Sequence, residues 1–283
     1  MNDSEIFILG AKGQLGTALL QRYPGSKNAD IGELDITDQK SVEAFDWSSV
    51  KVILNAAAYT NVDGAESSEG RRTAWLVNAV SPGYLQQVAV KNDITLVHIS
   101  TDYVFDGVKN PHSEYEAFSP LSVYGSSKAA GDIVVGLAPK HYILRTSWVI
   151  GEGKNFVRTM LELAQNGVNP SVVNDQVGRL TFTSTLVDAI HHLLSSKSQY
   201  GTYNVSNDGE PMSWSEIARE VFKYAQLSNT VSEVTTEQYY AGKTGIAARP
   251  LQSSLDLAKI KATGFTPRNW QEDLATYVKK ELA

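Results

Sequence analysis

Cysteine is absent from the 283-residue chain, which rules out disulfides, thiolate nucleophiles and any cysteine-bearing zinc site. No apolar run approaches the roughly 20 residues that a membrane-spanning helix needs. Lysine and arginine never gather into a run and the formal net charge is −6, so nothing marks a basic face for nucleic acid. A small anionic ligand needs only local donors and stays open. The opening MNDSEIFILG carries acids where a secretion signal carries bases, and its apolar stretch is short, so the expectation is a cytoplasmic protein that does not enter membranes. His191-His192 is the only histidine pair and reads as a solvated helix end. What remains, 42% hydrophobic and 20% charged residues, is ordinary for a globular chain with room for one large α/β domain or two smaller ones.

The first strong local pattern is Ile6-Phe7-Ile8-Leu9 running into Gly10-Ala11-Lys12-Gly13-Gln14-Leu15-Gly16 and then a helical stretch from Thr17 to Arg22. A buried parallel strand, a glycine turn and a helix N-terminus together make an anion site, because backbone N–H groups and the helix dipole face the ligand. The spacing is GxxGxxG rather than GxGxxG, and a turn without a ligand fits the same residues. Lys27 to Asp30 reads as a second strand, placing Asp30 where an acid commonly meets an adenosine ribose. Asp35 serves equally as a ligand contact or, like Thr37, as the cap of a helix through Val42 to Phe45. Val50 to Leu54 is a third strand ending in Asn55-Ala56-Ala57-Ala58-Tyr59-Thr60, small residues that admit either a cofactor or tight helix packing. Asn78, within a helical pattern from Arg71 to Val90, reads as a ligand contact or a surface residue.

A fourth apolar run (Ile94, Leu96, Val97, Ile99) ends in Ser100-Thr101, and Tyr124 and Lys128 follow four apart, on one helix face. A phenol is a poor acid near neutrality, and a nearby ammonium together with a threonine hydroxyl can tune it into a proton donor for a carbonyl oxygen. The same spacing also suits a plain surface pair. His141 to Ile150 reads as one long strand breaking at Gly151, with Trp148 near its end available to stack on a ring or to fill the core. Strands alternating with helices predict a doubly wound parallel α/β sheet over 1–150. Shorter mixed elements over 151–283 predict a smaller lobe covering a substrate, with segments free to return to the sheet; Ser213 to Glu216 carries a capping-box pattern, and a last helix starts at Trp270.

Taken in order, GAKGQLG, NAAAYTNVDGAE, STDYVFDG, SPLSVYGSSKAAGD, RTSWVIGEGKNF, VVNDQVGRLTFT, GTYNVSNDG and RPLQSSLD resemble the extended short-chain dehydrogenase/reductases, and within them the dTDP-4-dehydrorhamnose reductase family. That resemblance implies a Rossmann-type fold, NADH or NADPH as cofactor, and hydride delivery to C4 of a dTDP-6-deoxy-4-keto-hexose. It implies that Gly10, Gly13, Gln14, Leu15 and Gly16 hold the pyrophosphate and that Ala56, Ala57, Ala58 and Tyr59 lie along the cofactor. Thr101, Tyr124 and Lys128 become the catalytic set, with Lys128 also reaching the nicotinamide ribose. Asp102, Tyr103, Trp148 and Asn155 are expected at the sugar, and Arg249 at the nucleotide diphosphate.

Departures from the family pattern shape three further expectations. Ile31, not a base, follows Asp30, which favours NADH or dual use over strict NADPH. Ala18 stands where some relatives place the glutamate of a magnesium-linked dimer, so no metal and a monomer or weak homodimer are expected. Arg179-Leu180-Thr181 replaces a common Pro-Thr and leaves the shape of the substrate loop open. Tyr103 occupies the position at which related dehydratases carry the glutamate that eliminates water, which disfavours that chemistry. A reductase of another nucleotide 4-keto-6-deoxy sugar, and a non-catalytic regulator like the regulatory subunit of methionine adenosyltransferase, remain as alternatives.

Overall fold

The computed structural model describes residues 2–283. Its centre is a six-stranded, wholly parallel sheet made of β1 (Ile6–Leu9), β2 (Lys27–Ala29), β3 (Val52–Asn55), β4 (Thr95–Thr101), β5 (His141–Thr146) and the later strand Gly201–Asn204. Across the sheet the order is Gly201–Asn204, β5, β4, β3, β1, β2. β1 is apolar throughout because it is covered twice: Ile6 and Ile8 face one core, Phe7 and Leu9 the other.

The helices are α1 (Gln14–Arg22), α2 (Gln39–Ala44), α3 (Ser68–Trp75), α4 (Ser81–Lys91), α5 (Val123–Val135), α6 (Phe156–Gln165), α7 (Thr183–Ser195) and α8 (Trp214–Tyr224), followed by three more that end in Trp270–Glu281. Leu19 of α1 and Leu186 and Ile190 of α7 fill one face of the sheet with Leu54, Val97 and Tyr142. Val42, Leu85, Val88 and Val135, from α2, α4 and α5, fill the opposite face with Ile53, Leu96 and Ile143. A separate core joins α6, α8 and Trp270–Glu281 around Trp270, Ile217, Val221 and Leu274. The chain therefore returns to the sheet after 151: α7, Gly201–Asn204 and the helix Ala258–Ala262 belong to the sheet's own packing.

Local departures from the sequence reading have physical causes. β5 stops at Thr146 because Trp148 adopts φ of 48°, and Val149–Ile150 pairs instead with Thr181–Phe182. The helix after β2 is capped by Asp38, whose carboxylate accepts the Lys40 N–H, while Asp35 accepts both the Thr37 N–H and hydroxyl. Between α3 and α4 the helix widens into a π segment, Leu76–Val80, which turns Asn78 inward. His191 and His192 are half-buried rather than solvated; the first bonds with the Tyr23 hydroxyl at 3.2 Å and the second with Thr263. Ser213 and Glu216 do form the reciprocal capping box of α8.

Candidate active site

β2 and β3 lie on opposite sides of β1, so the chain reverses its direction of winding there and a crevice opens beyond the C-terminal ends of β1 and β3. Gly10 leaves β1 at φ of 73°, and a Cβ built on it would lie 2.7 Å from the Ala57 nitrogen. A Cβ on Gly16 would lie 2.1 Å from the Gly10 carbonyl oxygen. These two glycines thus allow backbone to meet backbone. Gly13, by contrast, caps α1 with no side-chain hydrogen bond and lines the open crevice, leaving the first N–H groups of the helix to a ligand. Of the three glycines expected at the pyrophosphate, Gly10 and Gly13 border the crevice and Gly16 shapes the turn behind them.

The crevice continues as two adjoining clefts. One, of about 460 Å³, is lined by Gly10, Lys12, Asp30, Asp35, Ala57 and Tyr59 among others. The second, of about 420 Å³, is lined by Gln14, Leu15, Thr101, Asp102, Tyr103, Tyr124, Lys128 and Trp148. Gly13, Ala56 and Ala58 border both. Two such volumes meeting at a helix N-terminus fit a dinucleotide laid across the sheet end, with space beyond for a further group.

Asp30 is fixed at the first cleft by accepting the N–H groups of Lys12 at 3.1 Å and Ile31 at 2.9 Å. The sequence reading found no base beside it; folding brings one, since the Lys12 ammonium lies 3.4 Å from the carboxylate of Glu33, and Glu33 accepts the Asp30 N–H. One exposed ammonium, paired to Glu33, thus stands at the edge of the loop that holds Asp30.

At the second cleft, β4 delivers Thr101, whose hydroxyl donates to Asp102 at 3.0 Å and accepts the Tyr103 N–H at 3.2 Å. Ser122 caps α5 through the Gly125 N–H. Gly125 permits that helix to press on the turn after β4, because a Cβ there would lie 2.2 Å from the Tyr103 carbonyl oxygen. This contact sets Tyr124 against Thr101, with the Tyr103 ring edge-on at 5.5 Å. Burial pushes the Tyr124 phenol well above its ordinary range, and the Thr101 hydrogen bond draws it only part of the way back. Asp102 is pushed up to about 6 by burial, against the pull of the neighbouring Ser253 hydroxyl and the Thr101 hydrogen bond. Lys128 comes down to about 8 for the same reason, with Asp132 pulling the other way. Its nitrogen donates to the Ile99 carbonyl at 2.7 Å and lies 3.3 Å from His98 Nε2, so it is directed toward β4 and not hydrogen-bonded to Tyr124. Behind it Asp132 and Arg145 form a buried ion pair at 2.9 Å.

The remaining expected contacts are distributed unevenly. Trp148 borders the second cleft while stacking on Trp214 at 3.7 Å, so its indole both packs and faces ligand space. Asn155 lies outside both clefts: its carbonyl caps α6 through the Arg158 N–H, and its amide donates to Gly151, Gly153 and Tyr277. Both ends of the side chain are thus engaged at the helix entry. Arg249 also lies outside both clefts, paired with Asp63 at 2.8 Å and stacked over Tyr240. Sequence reasoning left Asn78 undecided and passed over Asn55, His98 and Ser127. Asn78 clamps the Tyr59 backbone on both its N–H and carbonyl and donates to Ser127 on α5, fixing the loop after β3 against the helix that carries Tyr124. Among the described residues, no cluster of three acids or histidines is arranged to hold a metal, and no helix is long and apolar enough to cross a membrane.

A parallel sheet with this crevice at its reversal point, bordered by a buried tyrosine and lysine on one helix, places the chain among the Rossmann-type dehydrogenases and reductases. Comparison narrows the class. A family model described as the RmlD substrate binding domain matches residues 4–283. A dTDP-4-dehydrorhamnose reductase from Aggregatibacter actinomycetemcomitans is 39% identical over 293 residues, covering 96% of this chain and 97% of that protein. The crystal structure of a dTDP-4-dehydrorhamnose reductase from Clostridium acetobutylicum superposes with a TM-score of 0.91 at 35% identity, covering 98% of this chain and 99% of that one. A Bacillus anthracis dTDP-4-dehydrorhamnose reductase solved in complex with NADP gives 0.89 at 35% identity, covering 97% and 98%. The chain belongs to the dTDP-4-dehydrorhamnose reductase family.

Proposed function

We propose that the protein reduces the C4 keto group of dTDP-4-dehydro-6-deoxy-L-mannose (dTDP-4-dehydrorhamnose) to give dTDP-L-rhamnose. The observation that carries this is the placement of Thr101, Tyr124 and Lys128 on the wall of the second cleft, directly beyond the cleft that fits a nucleotide. Gly13, the first turn of α1, Ala56, Ala58 and Asp30 hold NADH or NADPH in this reading, and the reduced nicotinamide supplies the hydride. Tyr124 gives its proton to the oxygen of the new alkoxide. A phenol that burial keeps protonated suits a donor, and the neighbouring Thr101 hydroxyl steadies its oxygen and draws its pKa part of the way down. Lys128 neighbours the same cleft and orients the ribose; Asp102, Tyr103 and Trp148 border the sugar. Residues 1–150 bind the cofactor, and the separate core formed by α6, α8 and Trp270–Glu281 covers the substrate.

The test is consumption of reduced nicotinamide with dTDP-4-dehydrorhamnose generated in the same vessel, followed by identification of the product sugar. Turnover to dTDP-L-rhamnose supports the proposal. Stabilisation by cofactor without turnover on this sugar, together with turnover on another nucleotide 4-keto-6-deoxy sugar, would move the substrate assignment.

Cofactor choice follows from charge. A 2′-phosphate at Asp30 would meet two carboxylates and a single ammonium already paired to one of them. Like charges brought together in an interface cost several kcal/mol, so Asp30→Ala is expected to raise the NADPH-to-NADH ratio of kcat/KM by about tenfold. An unchanged ratio would remove the charge argument. Lys12→Ala should move the ratio the other way.

A further inference from the structure

Of the aromatic residues lining the second cleft, Trp148 alone has its backbone in the left-handed region, at φ of 48°. A bulky residue is disfavoured there and stays only where its neighbours over-determine the conformation. Those neighbours come from the segment Gly178–Phe182. The Thr181 N–H donates to the Trp148 carbonyl at 3.1 Å, Val149–Ile150 pairs with Thr181–Phe182, and the Ser147 hydroxyl reaches the Arg179 carbonyl at 3.5 Å. Leu180, within the same segment, is wholly buried in the core against which Trp148 packs.

The indole is gripped as firmly as the backbone. Trp214, the first residue of α8, stacks on it at 3.7 Å with the two planes 19° apart, and Phe156 of α6 backs Trp214 at 4.4 Å. The second contact is Gly178. A Cβ built there would lie 3.1 Å from Trp148 Cζ2, 3.2 Å from Cε2 and 3.1 Å from Ser253 Cβ. Gly178 belongs to a short strand, Val177–Gly178, that runs antiparallel to Met212–Ser213 in an ordinary backbone conformation. The close approach of the indole, not the path of the chain, therefore calls for glycine at this position. The same strand pairing fixes Ser213, and with it Trp214, beside the indole.

Building on the reading that places the keto sugar beside Trp148, we propose that Gly178 and Trp214 are positioning residues for that sugar: they hold the strained Trp148 so that its indole forms a fixed wall of the second cleft. Neither residue lines the cleft, so both act through Trp148. A tryptophan free to relax to negative φ would redirect its indole, and the sugar's C4 would no longer stand at one distance from the nicotinamide. Hydride transfer tolerates little such drift, since a misplacement of about 1 Å can lower a rate by on the order of a hundredfold. The strain at Trp148 is thus part of how the cleft is preorganised.

The stack carries its own signal. Two indoles 3.7 Å apart couple excitonically, so the wild-type protein should show a far-ultraviolet circular dichroism couplet that is lost in Trp148→Phe, although three of the five tryptophans stand elsewhere. Gly178→Ala should shift or weaken the couplet, lower kcat/KM for the keto sugar by about ten- to a hundredfold, and leave the KM for reduced nicotinamide within about twofold. Trp214→Phe keeps an aromatic face on Trp148 and should retain most of the activity. Trp214→Leu fills the core without stacking and should lose it as Gly178→Ala does. Equal kcat/KM in the two Trp214 variants overturns the proposal, as does a Gly178→Ala protein with an altered couplet and wild-type kcat/KM. A wild-type couplet with weakened turnover in Gly178→Ala would lay the effect on Ser253 and overturns it as well. If Gly178→Ala does not fold, the Trp214 pair decides. Binding of dTDP-L-rhamnose to the wild-type protein, measured by calorimetry, separates the underlying reading: binding that leaves the couplet unchanged removes the sugar from Trp148, whatever the variants show.

Discussion

Tyr124→Phe is expected to lower kcat by a factor of roughly 100 to 10,000, the usual range for removing a positioned general acid. The ring stays, so the edge-on contact with Tyr103 and the fit beneath the cleft should survive. The change removes one hydroxyl and its bond with Thr101, a loss of about 1 kcal/mol for a neutral pair. Cofactor affinity, read by quenching of protein fluorescence, should accordingly stay within about tenfold of wild type. That split separates a proton donor from a residue that merely shapes the cleft, because a shaping residue would weaken binding and turnover together. Wild-type turnover in Tyr124→Phe would sink the role assigned to Tyr124. Thr101→Val should give a smaller loss, since the hydroxyl it removes steadies the phenol through one hydrogen bond and gives no proton.

The parts of this site that could be read from the sequence are those written in short, local chemistry. Ile6 to Gly16 announces a strand, a turn and a helix start within eleven residues, and β1, the Gly10 turn and α1 stand there. Tyr124 and Lys128 are four apart on a helix, and a helix carries them to one cleft. What stayed hidden depends on register between distant strands. Asn55 and His98 are 43 residues apart and become neighbours only because β3 and β4 pair in parallel with these two opposite each other. No periodicity in either strand signals that. Lys12 and Glu33 meet Asp30 for a similar reason, from loops at the ends of different strands, so a charge argument confined to Asp30-Ile31 missed half of the local charge. Gly201 to Asn204 is plainly a strand in sequence, yet its partner, β5, is not adjacent in the chain. Asn155 and Arg249 show the converse pattern. Each has the right chemistry for a sugar or a phosphate, but the cap of α6 and the carboxylate of Asp63 already hold them.

Substituting the glycines of the turn after β1 should produce two unlike failures. In Gly16→Ala the new methyl carbon falls 2.1 Å from the Gly10 carbonyl oxygen and 2.7 Å from Ala11 Cα. Both are backbone atoms, so no side-chain rotation relieves the overlap; the turn must move away from α1. Overpacking of this kind costs about 1–3 kcal/mol or more, and at roughly 2–4 °C per kcal/mol for a chain of this order the melting temperature should fall by several degrees or beyond. Cofactor binding should fail with it, because the displaced turn is the one that aims the α1 N–H groups. Gly13→Ala meets only the Gly10 carbonyl, at 3.3 Å, and Gly13 already has φ of −75°, which alanine adopts freely. Its methyl would stand at the mouth of both clefts, where the pyrophosphate approaches. The melting temperature of the unliganded protein should therefore hold within a degree or two, roughly the effect of a surface change, while the stabilisation given by added NADH or NADPH is lost. Thermal unfolding of the two variants, each with and without cofactor, reads both expectations at once. A Gly16→Ala protein as stable as wild type would mean that the turn yields more easily than its backbone contacts allow, and a Gly13→Ala protein still stabilised by cofactor would mean that the phosphates do not approach α1 along its axis.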